Sequence, residues 1–135
     1  MQGTYKGTYT YHKHPRLMGQ ETKFTIIITD CDGTSFTGTV TDDVENGGSR
    51  GEGTIKGSIK NDKIEFIKQM PIMTLGTKDG KRIEVAKKHR PVDYSGTFIG
   101  DTFEGDWKIK RGMIFNTFLI AFGIGTTGTW KMAKV

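Results

Sequence analysis

Tyr94-Ser95-Gly96-Thr97-Phe98-Ile99-Gly100-Asp101-Thr102-Phe103-Glu104-Gly105-Asp106-Trp107 is the stretch whose reading decides the fold. Alternate positions carry Tyr94, Gly96, Phe98 and then Phe103, Gly105, Trp107, so one face holds rings and glycines and the other is mostly polar. Side chains alternate across a strand, and this pattern predicts two half-buried strands joined by a tight turn at Gly100-Asp101. A glycine opposite a large ring lets the ring lie flat across the neighbouring strand, a device of small barrels.

The same grammar extends outward. Gly3, Tyr5, Gly7, Tyr9 and Tyr11 share a face, as do Phe24, Ile26 and Ile28; then Phe36, Gly38 and Val40; Gly51, Gly53, Ile55, Gly57 and Ile59; Ile64, Phe66 and Lys68; and finally Gly128, Trp130 and Met132. Asp30-Cys31-Asp32-Gly33 and Asn61-Asp62 read as turns. The expectation is an all-β, antiparallel up-and-down meander of about eight strands, closed into a barrel because closure removes exposed edges. One domain spans residues 1–135, with long excursions near 71–91 and 111–125; two weak strands, Met73 to Thr77 and Arg82 to Ala86, fall inside the first.

Loop lengths carry a second inference. In an up-and-down barrel the connections alternate between the two ends. Those after the second, fourth and sixth strands are short, and those after the first, third, fifth and seventh are long. One end is therefore closed by hairpins and the other gathers everything irregular, where function on a rigid frame is normally found. Tyr94 and Trp107 approach that end, whereas Phe98 and Phe103 read as core.

A chain of 135 residues buries roughly two thirds of its unfolded surface without a disulfide or a metal. The single cysteine, Cys31, excludes an internal disulfide framework. No charged-then-apolar leader precedes the first strand, which predicts a cytoplasmic protein. The longest apolar stretch, Met113 to Ile124, is short of the ~20 residues that span a bilayer. Net charge is +5, but six cations and two anions between Lys78 and Arg90 account for +4. A basic surface spread over the molecule, as a nucleic-acid partner needs, is not present in this pattern.

Gly7-Thr-Tyr-Thr-Tyr11, Phe24-Thr-Ile-Ile-Ile-Thr29, Phe36-Thr-Gly38-Thr-Val40, Gly53-Thr-Ile-Lys-Gly57 and Tyr94-Ser-Gly96-Thr-Phe98 resemble successive strands of the avidin and streptavidin family. Other calycin-type barrels share much of the pattern. The resemblance implies an eight-stranded meander barrel with a ligand in its open end. Under it, Trp107 matches a ligand-contacting tryptophan and Trp130 the family's inter-subunit tryptophan. The family's other biotin contacts fall on Tyr11, Val40 and Asp42, or lie beyond Val135, so biotin is not the expected ligand.

Two readings of the aromatic face remain open. Its rings simply fill a barrel interior just wide enough for side chains, or its glycines leave a cavity near the mouth for one small ligand. The residues singled out for ligand binding are Tyr9, Tyr11, Val40, Tyr94, Trp107 and Trp130 on the wall, Phe115 and Phe118 in the apolar excursion, and Lys88 and Arg90 at the basic rim. Met113 to Phe122 must plug the mouth, meet another subunit or touch a membrane, because a large apolar patch does not sit freely in water; membrane contact is the least favoured.

An apolar cavity rimmed by cations suits an amphipathic anion. His12, His14 and His89 lack the further ligands a zinc site needs, and no nucleophile, phosphate loop or paired-carboxylate arrangement emerges. The expectation is a non-catalytic barrel binding a small apolar or amphipathic anionic ligand at the long-loop end, without cofactor or metal, and assembled as a homo-oligomer. The alternative is an oligomeric structural or interaction module with a filled barrel and no small-molecule ligand.

Overall fold

Residues 1–12, 21–43, 51–71, 73–76, 82–85, 91–109 and 127–135 are described by the computed structural model. The alternating segments form β1 (Gly3–Tyr11), β2 (Thr22–Asp32), β3 (Ser35–Asp42), β4 (Glu52–Lys60), β5 (Lys63–Gln69), β6 (Met73–Gly76), β7 (Arg82–Val85), β8 (Val92–Ile99), β9 (Thr102–Ile109) and β10 (Thr127–Lys134). Eight of them close into a barrel in the order β1-β10-β9-β8-β5-β4-β3-β2, and β6 and β7 form a separate two-stranded sheet. Closure is made by β1 against β10, from Tyr5 opposite Lys134 to Tyr11 opposite Gly128. All barrel pairings are antiparallel, so each connection returns the chain directly.

The turns at the closed end follow from local chemistry. Gly33, Asn61 and Gly100 take left-handed φ values of 61°, 56° and 66°, a conformation that glycine and asparagine tolerate best. The first of these turns differs from the sequence expectation: β2 runs on through Asp32 instead of ending at Asp30. Thr29 is an extra residue in β2, since Ile28 lies opposite Gly38 and Asp30 opposite Thr37. This bulge shifts the phase of the strand. Cys31 then packs against the core while Asp30 and Asp32 face solvent.

Three tiers of rings fill the interior. Near the closed end, Tyr5 meets Phe103 with centroids 6.2 Å apart. In the middle, Phe66 stacks on Tyr94 at 4.7 Å, and Trp130 stands edge-on to both at 5.4 and 5.6 Å. Towards the mouth, Trp107 is edge-on to Tyr11 at 5.0 Å and to Tyr9 at 6.0 Å. Inward glycines make room for the indoles. A Cβ on Gly128 would lie 2.5 Å from the Trp107 ring, and one on Gly96 would lie 2.8 Å from that of Trp130. The indole N–H groups are satisfied by backbone: Trp107 donates to the Thr10 carbonyl at 3.0 Å, and Trp130 to those of Ser95 and Asp106 at 3.2 and 3.1 Å.

Phe98 corrects the expectation that it is core, for it remains 38% exposed. The pairing of β8 with β5 ends at Thr97 opposite Lys63, so Phe98 projects past the end of its neighbour. Its ring reaches back to Phe103, 4.7 Å away. Trp130 occupies the barrel centre at 3% exposure, away from the outer wall where an inter-subunit tryptophan would lie.

The two kinds of glycine predict opposite behaviour. Gly128→Val drives a side chain into the Thr10 carbonyl and the Trp107 ring and costs about 3 kcal/mol or more. Gly100→Ala meets nothing within 4 Å and costs only the left-handed strain, about 1–2 kcal/mol. Urea unfolding of both variants measures the difference.

Candidate functional site

β1, β3, β5 and β9 all end at the long-loop end of the barrel, and β8 begins there. Counting the inward phase up β3 gives Phe36, Gly38, Val40 and then Asp42; up β5 it gives Ile64, Phe66 and then Lys68. The last inward residue of each count is charged, and both side chains are buried. Lys68 Nζ lies 2.7 Å from Asp42 Oδ1 and 2.8 Å from Oδ2, with the two side chains 6% and 1% exposed. On β4, between their strands, a Cβ on Gly53 would meet Met70 Sδ at 2.6 Å, so that inward position stays without a side chain.

The ion pair sits among the rings. Lys68 Nζ lies 4.7 Å from the centroid of Tyr9 and 6.0 Å from that of Tyr94, within or at the limit of a cation–π contact. The Tyr9 hydroxyl donates to Asp42 Oδ2 at 3.3 Å. Desolvation first, then the charge of Asp42 and the neighbouring phenols, pushes the Tyr9 hydroxyl well above its usual pKa. Desolvation, followed by Asp42 and Tyr11, does the same to Tyr94. Both phenols are thus neutral hydrogen-bond donors throughout the physiological range.

A cavity of about 30 Å³ opens beside the pair, lined by Tyr9, Tyr11, Asp42, Lys68, Met70, Val92, Tyr94, Trp107 and Ile109. Its chemistry is divided. Met70, Val92 and Ile109 are apolar, whereas Asp42, Lys68 and the phenols supply donors and acceptors. Burying an ion pair gives little net stability, and apolar residues of similar volume often do as well. Stability alone therefore does not account for its presence inside the barrel mouth.

Of the residues singled out from sequence, Tyr9, Tyr11, Tyr94 and Trp107 line this cavity. Val40 is buried one inward step below Asp42 and Trp130 lies in the middle tier; neither is among the lining residues. Phe115, Phe118, Lys88 and Arg90, the excursion 111–125, and His14 and His89 lie outside the described residues. His12 continues the pairing of β1 with β10, its N–H donating to the Thr127 carbonyl at 2.8 Å. No group of three metal-ligating side chains occurs among the described residues. Sequence reasoning missed Asp42, Lys68, Met70, Val92 and Ile109 as site residues. For the first two the inward face was readable from the alternation of their strands, but not that the two side chains meet.

The pair predicts an asymmetric mutational response. Asp42→Ala leaves Lys68 buried and unpaired and costs about 3–5 kcal/mol, whereas the double variant Asp42→Leu, Lys68→Met falls within about 1 kcal/mol of the parent or above it. Urea midpoints test this, and a single variant costing under about 1 kcal/mol contradicts it. The phenols predict the alkaline limb of stability. Above about pH 10 the unfolded chain releases its tyrosine protons while folded Tyr9 and Tyr94 keep theirs, so stability falls as pH rises. Tyr94→Phe flattens that limb, as unfolding monitored by tyrosinate absorbance will show.

Comparison with models of protein families, with curated proteins and with solved structures finds no match to this chain. What it shares with avidin-type and other calycin-type barrels is the closed eight-stranded antiparallel architecture.

Proposed function

We propose that the protein is a non-catalytic, avidin-like binding barrel that takes one small apolar or amphipathic anionic ligand at its long-loop end. The observation that carries this is the buried Asp42–Lys68 pair, set among Tyr9, Tyr94 and Trp107 beside a cavity at the barrel mouth. Below that level the barrel is packed with rings, so the ligand binds in the mouth and not along the axis. Its apolar body contacts Tyr11, Met70, Val92 and Ile109. Its anionic group faces outward, and Lys88 and Arg90 are the cations that the sequence offers as its partners. The protein works as a homo-oligomer in the cytoplasm.

The packed interior also favours a second reading, in which the barrel is a structural or interaction module and Met113 to Phe122 forms the interface. One pair of measurements separates the two. Displacement of a fluorescent fatty acid at micromolar concentration, lost in a Trp107→Ala variant, is the result expected of a mouth site. No displacement, with light scattering showing that Phe115→Asp, Phe118→Asp dissociates an oligomer, overturns it in favour of the module.

A further inference from the structure

The deep end of the mouth is more selective than its overall apolar character implies. Its space of about 30 Å³ accommodates one water-sized group. A trimethylammonium is too large for it. Charge narrows the choice further. Among the described residues lining the cavity, Lys68 is the only cation and Asp42 the only anion, and the ammonium is already held by both carboxylate oxygens. A second anion placed here would face Asp42 without an uncommitted cation, and a second ammonium would face Lys68.

Hydrogen bonding narrows it again. No hydrogen bond engages the Tyr94 hydroxyl among the described residues, although the residue is 4% exposed. No sealed-off side-chain oxygen or nitrogen is left unsatisfied there, so this hydroxyl opens on the cavity that Tyr94 lines. Tyr94 stacks on Phe66 at 4.7 Å, which fixes its ring and hence the direction of its donor. The deep end thus combines an unused phenol donor, a carboxylate acceptor and room for one oxygen.

We propose that the inserted end of the ligand is a neutral hydroxyl group, seated between the Tyr94 hydroxyl and the Asp42–Lys68 pair, on an otherwise apolar body. A hydroxyl both accepts, here from Tyr94, and donates, here to the Asp42 carboxylate, and a bond to a charged partner is stronger than a neutral one. An alkyl terminus in the same place leaves the Tyr94 hydroxyl without an acceptor. This rests on the mouth-binding reading above and specifies the ligand class: an amphipathic molecule with a hydroxyl at the end opposite its outward anionic group.

Three ligands of one chain length test it: decanoate, 10-hydroxydecanoate and decanedioate, each competed against the same fluorescent fatty acid on the full chain. In an apolar pocket the added hydroxyl weakens binding. Here 10-hydroxydecanoate should bind about tenfold tighter than decanoate, and decanedioate weakest. Tyr94→Phe, which removes no hydrogen bond from the protein itself, should cost 10-hydroxydecanoate about fivefold and leave decanoate within about twofold. Decanoate or decanedioate binding as tightly as the hydroxy acid overturns the hydroxyl inference while leaving the mouth site standing, as does an unchanged hydroxy-acid affinity in Tyr94→Phe. Failure of all three ligands to compete overturns the mouth site and the inference with it.

Discussion

An eight-stranded barrel encloses only enough room for one set of inward side chains, and that limit governs the rest of this molecule. Two indoles and a set of phenyl and phenol rings cannot share such a space unless other inward positions carry nothing. Gly96 and Gly128 supply the emptiness that the Trp130 and Trp107 rings occupy. The exchange has a second consequence. Because the rings lie against bare backbone, their N–H groups reach across the adjacent strand to carbonyls of the one beyond it, Trp107 to Thr10 on β1 and Trp130 to Ser95 on β8, so the polar atoms of the tryptophans are satisfied without polar side chains in the core.

The same restriction gives the mouth its character. With rings filling the lower and middle tiers, any space must occur where the strands end. There the inward phase delivers Asp42 and Lys68, two charged side chains that are 1% and 6% exposed. They are held by each other, by the Tyr9 hydroxyl and by the faces of Tyr9 and Tyr94. The arrangement is electrically neutral and rich in donors and acceptors.

Much of this was legible residue by residue. The alternation in Tyr94 to Trp107 predicts the β8–β9 hairpin and its turn, and the one-sided loop lengths predict which end is the mouth. Tyr9, Tyr11, Tyr94 and Trp107 were identifiable because rings at the ends of inward runs must lie at a barrel's rim. The pair was not, because periodicity assigns each residue a face but does not measure the distance between strands separated by a third. The bulge at Thr29 was hidden for a related reason: an extra residue shows only when the partner strand's register is known.

The sequence by itself determined the fold class, the order of the barrel strands and the end at which the long connections gather, since these follow from local alternation, turn chemistry and loop length. Tertiary structure alone decided that the barrel centre is filled, that Trp130 is core and Phe98 is not, and that Asp42 and Lys68 meet. Those outcomes depend on register and closure, which bring side chains from opposite ends of the chain to within a few ångströms. No local pattern encodes such distances.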